Sequence, residues 1–403
     1  MPDTLIIYEK NNAIVCAGFE NRKPVSLDIE EKKDVFRNGN IYVGHINKIL
    51  WHLRAAYVDI GMPDDCYMEL KEGFDYLTDK DHPDGELHVG DDIIVQLIKQ
   101  PLRKKPATVC PAIEIDGRLA VIKYMGQKQN TEVCFSSKIS DKKFKNEMSS
   151  ILSPAVPTKM IALLRTNATE ASHEEIVADY ERGHRILENI IELNGKRTKG
   201  SLLYSASPKY ITTIRDSAEI EVKKMITDSP DVYMTLKDYL SEYRPEMLSA
   251  LEFYSDEHQA LENVFDMQKN LSEICSEKVW LKSGAQLVIQ QTEALISIDI
   301  NSSKASADRK NFKNGFLELN LEAAREISRQ LILRNYSGVI IVDFINDKST
   351  PGPVFIRELE KIFEKDKRTQ VVDITKLGLV ELTRKREEGD VSSLIKKYKL
   401  ISK

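Results

Sequence analysis

Cysteine is scarce in this 403-residue chain, and the little there is does not cluster. The five residues, Cys16, Cys66, Cys110, Cys134 and Cys275, are odd in number and scattered, and no CxxC pair occurs. That excludes a thiolate zinc site of the usual spacing and argues for a reducing cytoplasm. The seven histidines form no HxxxH or HExxH pattern, which argues against a histidine-rich metal site too. Any metal here must be held by oxygen. No apolar run approaches the roughly 18 to 20 residues that span a bilayer, so no membrane partner is expected. The start, MPDTLIIYEKNN, has one short apolar patch behind an acidic residue and reads as no secretory signal. Positive charge is not in excess either: the formal net charge is -5. Global charge therefore neither announces nor excludes a nucleic-acid partner, and only local patches can decide. Internal repeats and low-complexity segments are also lacking.

What is present is ordinary in bulk, with 41% hydrophobic and 30% charged residues. The length suits two to four domains, each with its own core. The first 34 residues alternate apolar and polar, with turn signals at Asn11-Asn12 and Asn21-Arg22, and read as short antiparallel strands. From Gly39 to about Ala112 the texture is all strand (NIYVGHINKIL, AAYVDIGM, CYMEL, DDIIVQLIK, ATVCPAIEI), interrupted by a polar loop from Asp79 to Gly90. Four or five such strands suit a small closed barrel, for which an OB-fold is the usual form. Gly117 to about Tyr204 mixes strands (RLAVIKYM, MIALLRT) with a helix over His173–Leu193, capped at Ala171-Ser172. Thr212 to Ser276 holds helical segments and one strand-like piece, DVYMTL. Beyond Val279 the pattern is strand, strand, helix, strand, helix, strand, with WLKSGAQLVIQ, ALISIDIN, GVIIVDFI and TQVVDIT as the strands. The helix from about Gly315 to Arg334 carries one apolar stripe, Leu317, Leu321, Ala324, Ile327 and Leu331. Strand, crossover helix and strand make a βαβ unit with parallel strands.

That unit raises a chemical question. ALISIDIN and GVIIVDFI each deliver an acid near the C-terminal end, Asp299 and Asp343. If the strands are neighbours, the two carboxylates meet at the sheet edge where open α/β sheets place ligands. Asn301 shares a face with Asp299, because residues i and i+2 of a strand point the same way. Two such charges repel unless a cation lies between them, and Mg²⁺ suits oxygen donors. Mn²⁺ accepts the same donors. The plainer alternative is that each aspartate caps a turn or pairs with a nearby Lys or Arg.

At these residues the chain resembles the ribonuclease E/G family, over almost its full length and in collinear order. The pieces are TEALISIDINSSKA, LNLEAAREISRQLILRNYSGVIIVDFI and TKLGLVELTRKR, with GNIYVGHINKIL and AAYVDIG at the barrel's start. The resemblance implies an α+β and α/β multidomain fold. Residues 1–34 with 208–275 would be RNase H-like, 35–112 an S1-type OB-fold, 113–207 a 5′-sensor region, 276–390 a DNase I-like catalytic domain, and 391–403 a tail. It implies an endoribonuclease that cuts single-stranded RNA in rRNA and tRNA processing and mRNA turnover, leaving 5′-phosphate and 3′-hydroxyl ends. In that family two aspartates hold Mg²⁺ and an asparagine assists; here those positions are Asp299, Asp343 and Asn301.

Two further sites carry over from the resemblance. RNA would be gripped by Tyr57, Tyr67 and Lys105, the rings stacking on bases and the ammonium meeting a phosphate, within the basic run Arg103-Lys104-Lys105. Tyrosines stand where the family has phenylalanines, and a core role for Tyr57 is the alternative. A 5′-monophosphate would be met by Arg165 and Thr166, with Gly117 and Val121 lining the pocket and Arg368 reaching over; the plainer alternative is Arg165 as an ordinary strand-end ion pair. Here the chain departs from the family, because Asn167-Ala168-Thr169-Glu170 replaces a glycine-rich loop and adds a negative charge. It departs again in having no cysteine after Cys275, so no CPxC zinc link, no long scaffold tail and no zinc are expected; any homo-oligomer would use other surfaces. The rival functions are a non-catalytic RNA-binding regulator that keeps the fold and, more weakly, a DNA nuclease.

Overall fold

A computed structural model describes residues 2–33, 36–80, 82–83, 85–101, 105–127, 132–216, 222–302, 316–345, 353–364, 366–386 and 389–401. Arg103, Lys104 and Gly315, all invoked above, lie outside the described residues. The chain divides into two compact units, one of residues 1–33 with 220–403 and one of residues 34–219. The architecture is mixed α+β.

In the 34–219 unit, five strands close into a barrel: Ile41–Leu50, Ala55–Asp59, Cys66–Glu69, Asp92–Lys99 and Thr108–Cys110. The first pairs with the second and the fourth, the second with the third, the third in parallel with the fifth, and the fifth with the fourth. Closure removes the free edges that an open sheet would expose. The interior is filled by Ile46, Ala56, Val58, Met68, Val95, Leu97 and Val109. This barrel is consistent with an OB-fold insert. After it, Val133–Phe135, Met160–Leu164, Ala120–Tyr124 and Glu114–Asp116 form a four-stranded sheet in that order. The helix His173–Glu192 packs on it through Ile176, Tyr180, Leu187 and Ile190. Ser172 and Glu175 form a reciprocal capping box, which fixes where that helix begins. A second helix, Lys142–Leu152 with Asp141 as its cap, was not anticipated.

In the other unit, Thr4–Lys10, Ala13–Glu20 and Lys23–Glu31 form the expected antiparallel meander. Asn11, Asn12, Asn21 and Arg22 all take positive φ, the left-handed backbone that tight hairpin turns require. Lys224–Thr227 and Leu251–Phe253 extend that sheet in parallel. The DVYMTL segment is not a strand: it lies inside the helix Pro230–Tyr243. Its β-branched and aromatic residues suggest a strand, but Pro230 at the first turn, the Ser229 cap and the buried stripe Val232, Leu236 and Leu240 decide for helix.

The last sheet has six strands in the order Lys278–Trp280, Gln286–Gln291, Leu295–Asn301, Gly338–Asp343, Val380–Arg384 and Thr369–Ile374. WLKSGAQLVIQ therefore spans two hairpin strands, with Gly284 at positive φ in the turn between them. Val380–Arg384, read from sequence only as part of a family match, inserts between Gly338–Asp343 and Thr369–Ile374. The helices Leu317–Leu333 and Pro353–Phe363 cover one face, burying Ile296, Ile298, Ile300, Ile340, Val342, Val380 and Leu382. Ala324, Ile327 and Leu331 of the expected stripe are buried, and Leu317 and Leu321 are half-buried.

Candidate active site and nucleic-acid surface

The apolar run around Asp299 resolves into strict alternation. Ile296, Ile298 and Ile300 point into the core, while Asp299 and Asn301 are exposed on the opposite face. The aspartate therefore escapes the cost of burying a charge. In the next strand Ile340 and Val342 are buried and Asp343 is exposed. The two strands are parallel, and Asp299 pairs in register with Asp343. Adjacent strands lie about 4.8 Å apart, so the carboxylates emerge side by side, with Asn301 one step along on the same face. Neither carboxylate has an ion pair or hydrogen bond to a described residue. The turn-capping and Lys/Arg-pairing alternatives are thus not what these residues do among the described ones.

Two further features hold the pair in place. Asn320, fully buried in the Leu317–Leu333 helix, clasps the backbone just past Asp343: its Nδ2 donates to the Ile345 carbonyl at 2.8 Å, and its Oδ1 accepts from the Ile345 amide at 3.1 Å. Arg384, in the strand beside Gly338–Asp343, donates from Nε to Asp366 at 2.6 Å and from Nη1 to the Tyr336 carbonyl at 2.8 Å. Arg368 donates to Asp366 and to Asn335 in the same unit.

The polar face continues beyond the acids. Asp299 pairs with Val288 and Val288 with Lys278; Asn301 pairs with Gln286 and Gln286 with Trp280. Directly paired residues share a face, so the exposed Lys278 and Trp280 stand on the same side as the acids, two strands away. Trp280 is 58% exposed. Trp280 opens the WLKSGAQLVIQ segment and Lys278 lies two residues before it, where nothing in the strand pattern marks them as functional.

In the barrel, Tyr57 and Tyr67 are cross-strand partners, with ring centroids 6.4 Å apart and planes at 82°. Ala56 and Val58, on either side of Tyr57, are fully buried, whereas both tyrosines are half-buried on the outer face. Lys48 pairs across from Tyr57 and is exposed, a cation that the sequence did not flag. Lys105 is exposed and leads into Thr108–Cys110, the strand parallel to that of Tyr67.

Arg165, Thr166, Gly117 and Val121 also come together, at one end of the two central strands of the four-stranded sheet. The Arg165 amide donates to the Leu119 carbonyl at 2.8 Å, and the Thr166 hydroxyl lies 3.0 Å from that of Ser136. Val121 is buried. A Cβ on Gly117 would sit 2.4 Å from Asp179 Oδ2, so no larger residue fits there.

Comparison with known proteins shows the family. The sequence profile of the Ribonuclease E/G family matches residues 114–387. Ribonuclease G of Escherichia coli (strain K12) is 30% identical over 373 residues, covering 89% of this chain and 74% of that protein. Ribonuclease G of Salmonella typhimurium (strain SL1344) is 29% identical over 371 residues, with the same coverage. Ribonuclease E of Nostoc sp. is 30% identical over 414 residues, covering 98% of this chain but 57% of that longer protein. A closed barrel consistent with an OB-fold and a sheet that presents paired acids fit one class of protein, and the chain belongs to the Ribonuclease E/G family and is an endoribonuclease. Among the described residues no helix is long and apolar enough to cross a membrane.

Proposed function

We propose that the chain cleaves single-stranded RNA internally, using a divalent cation held by Asp299 and Asp343, and leaves 5′-phosphate and 3′-hydroxyl ends. One observation carries this reading: Asp299 and Asp343 stand in register on adjacent parallel strands, exposed, with Asn301 on the same face. Among the described residues no cluster of three or more His, Cys, Asp and Glu side chains gathers to hold a metal. Two carboxylates, an amide and water are nevertheless a donor set that suits Mg²⁺, or Mn²⁺ in its place. Such an ion would neutralise charge on the phosphate and activate water.

The chain's own groups do the rest. Asn301 offers an amide to a phosphate oxygen, Asn320 fixes the backbone behind Asp343, and Lys278 and Trp280 give neighbouring nucleotides a cation and a ring. The barrel binds RNA separately through Tyr57, Tyr67 and Lys105. In this reading residues 276–390 are a DNase I-like catalytic domain, 1–34 with 208–275 an RNase H-like domain, and 35–112 an S1-type OB-fold. The setting is RNA processing and turnover in a bacterial cytoplasm.

The test uses one labelled single-stranded RNA. Asp299→Asn and Asp343→Asn are each expected to abolish cleavage while the RNA dissociation constant stays within about twofold, and EDTA is expected to stop the wild type. Full activity in either variant removes the metal site from the reading. RNA that is shifted but never cut favours the regulator, and equal cleavage of DNA of the same sequence favours a DNA nuclease.

A further inference from the structure

We infer that the loop over residues 194–200, NGKRTKG, is a phosphate-binding arm of the barrel, holding the sugar–phosphate backbone of RNA beside the face that carries Tyr57 and Tyr67. The inference rests on the reading above that the barrel binds single-stranded RNA, and it adds the cations that a strand meets as it leaves the stacking rings.

The loop places three exposed cations in four residues: Lys196, Arg197 and Lys199. A surface run of like charge is ordinarily just solvated, but this one is built into the barrel. Asn194 Nδ2 donates to the Thr78 carbonyl at 2.6 Å. At the other end the Gly200 amide donates to the Val43 carbonyl at 2.7 Å, and the Ser201 carbonyl accepts from the Val43 amide at 3.0 Å. Gly195 and Gly200 both take positive φ, which lets the chain turn tightly at each end. The next strand, Leu202–Tyr204, then pairs with Ile41–Leu50 of the barrel. The loop is thus anchored before any ligand arrives, and such preorganisation lowers the cost of binding.

Its position connects it to the tyrosines. Tyr57 and Asp59 are two residues apart on one strand, so they share a face and lie about 7 Å apart. Lys199 Nζ stands 3.6 Å from Asp59 Oδ2, which brings the loop to the row next to Tyr57. That contact also offsets the one carboxylate that would repel a phosphate there. Lys196 and Arg197 are left over: neither has an ion pair with a described residue. The turn between Asp59 and Cys66 brings Asp64 and Asp65 and no cation, so positive charge at this rim comes from the loop. Single-stranded RNA matches both features, with phosphates for the cations and bases for the rings. An acidic peptide would leave the rings unused.

The experiment follows a labelled single-stranded RNA of about 16 nucleotides by anisotropy in EDTA, which keeps it whole, over about 50 to 300 mM KCl. Each phosphate held on a single strand contributes about 0.7 to the slope of log K against log salt. Lys196→Ala combined with Arg197→Ala is expected to reduce that slope by about 1.4 and to raise the dissociation constant at about 100 mM KCl by about tenfold. With Mg²⁺ added, KM should rise by a similar factor while kcat stays within about twofold, because the loop binds and does not react. Lys142→Ala combined with Lys143→Ala removes the same charge from an exposed helix turn of the same unit and should leave the slope unchanged. Tyr57→Ala should weaken binding at constant slope, since stacking releases no counterion. A loop variant with the wild-type slope and a dissociation constant within about twofold overturns the inference. So does a control pair that lowers the slope as much, for the effect would then be net charge alone. Tyr57→Ala and Tyr67→Ala that bind like the wild type remove the stacking reading, and the loop then stands or falls on its slope.

Discussion

Single residues in the barrel carry a direct test of RNA binding. Tyr57 and Tyr67 are neither core nor fully exposed: both are half-buried, and their rings meet edge to face. A base stacked on such a ring contributes about 1 to 3 kcal/mol, so Tyr57→Ala and Tyr67→Ala should each raise the dissociation constant for single-stranded RNA by that amount. Because the rings touch, the double variant should lose less than the sum. Unchanged affinity in both, measured at fixed salt, would show that the rings serve the barrel alone. Trp280 belongs in the same titration. Its ring stands on the acid-bearing face, so Trp280→Ala should weaken RNA binding in an Asp299→Asn background where nothing is cut. An affinity equal to that of the background would take Trp280 out of the RNA path.

Elements, rather than residues, bring the acids together, and here the sequence was readable only in part. Period-two alternation in LISIDIN and GVIIVD, with a 3.6-period stripe between them, is enough to predict two strands joined by a crossover helix, and the structure pairs them in parallel. What alternation could not tell was which strand lies next to which. Val380–Arg384 is separated from Gly338–Asp343 by a helix and another strand, yet it is the immediate neighbour, because a buried Arg384 must reach Tyr336 and Asp366. DVYMTL was misread because local propensity is a weak prior against a cap, a first-turn proline and an apolar stripe. Asn320 was invisible for a different reason: its value lies in the two hydrogen bonds to Ile345, which no periodicity reports. As a positioning residue it should act on turnover rather than binding. Asn320→Asp keeps the size but loses the donor to Ile345, and it should lower kcat by about tenfold or more while leaving the RNA dissociation constant unchanged. Asn320→Leu loses both bonds and should cost stability as well, by about 1 to 3 kcal/mol, read as a lower Tm. Unaltered kcat in Asn320→Asp would confine the residue to packing.

At the scale of the whole chain, each of the two compact units holds a buried or nearly buried carboxylate that stays ionised, and this sets how the molecule responds to acid. In the unit that bears the catalytic sheet, burial alone would push the Asp366 carboxyl up. The Arg384 hydrogen bond and charge, with the Thr369 hydroxyl and the Arg368 amide, outweigh burial and hold it below the usual carboxylate range. In the other unit Asp91 is likewise held low, its burial offset by the His82 ring and the His88 amide. A carboxyl whose folded pKa is depressed lends its full stabilisation above the unfolded value, near 3.9, and loses it as pH falls through the lower folded value. Both units should therefore soften in that window. Asp366→Asn separates them. It leaves the guanidinium of Arg384, with 0% side-chain exposure, buried without its counter-charge, which costs about 3 to 5 kcal/mol at neutral pH. Calorimetry at pH 7 should resolve two transitions in this variant, one at the wild-type temperature and one well below it, since the two units have separate cores. The lowered transition should also vary less between pH 5 and pH 3 than it does in the wild type, because the group that supplied the slope is gone. One transition moving as a whole would show that the units unfold together, and an unmoved Tm would show that the Asp366–Arg384 pair adds nothing to the sheet that carries Asp299 and Asp343.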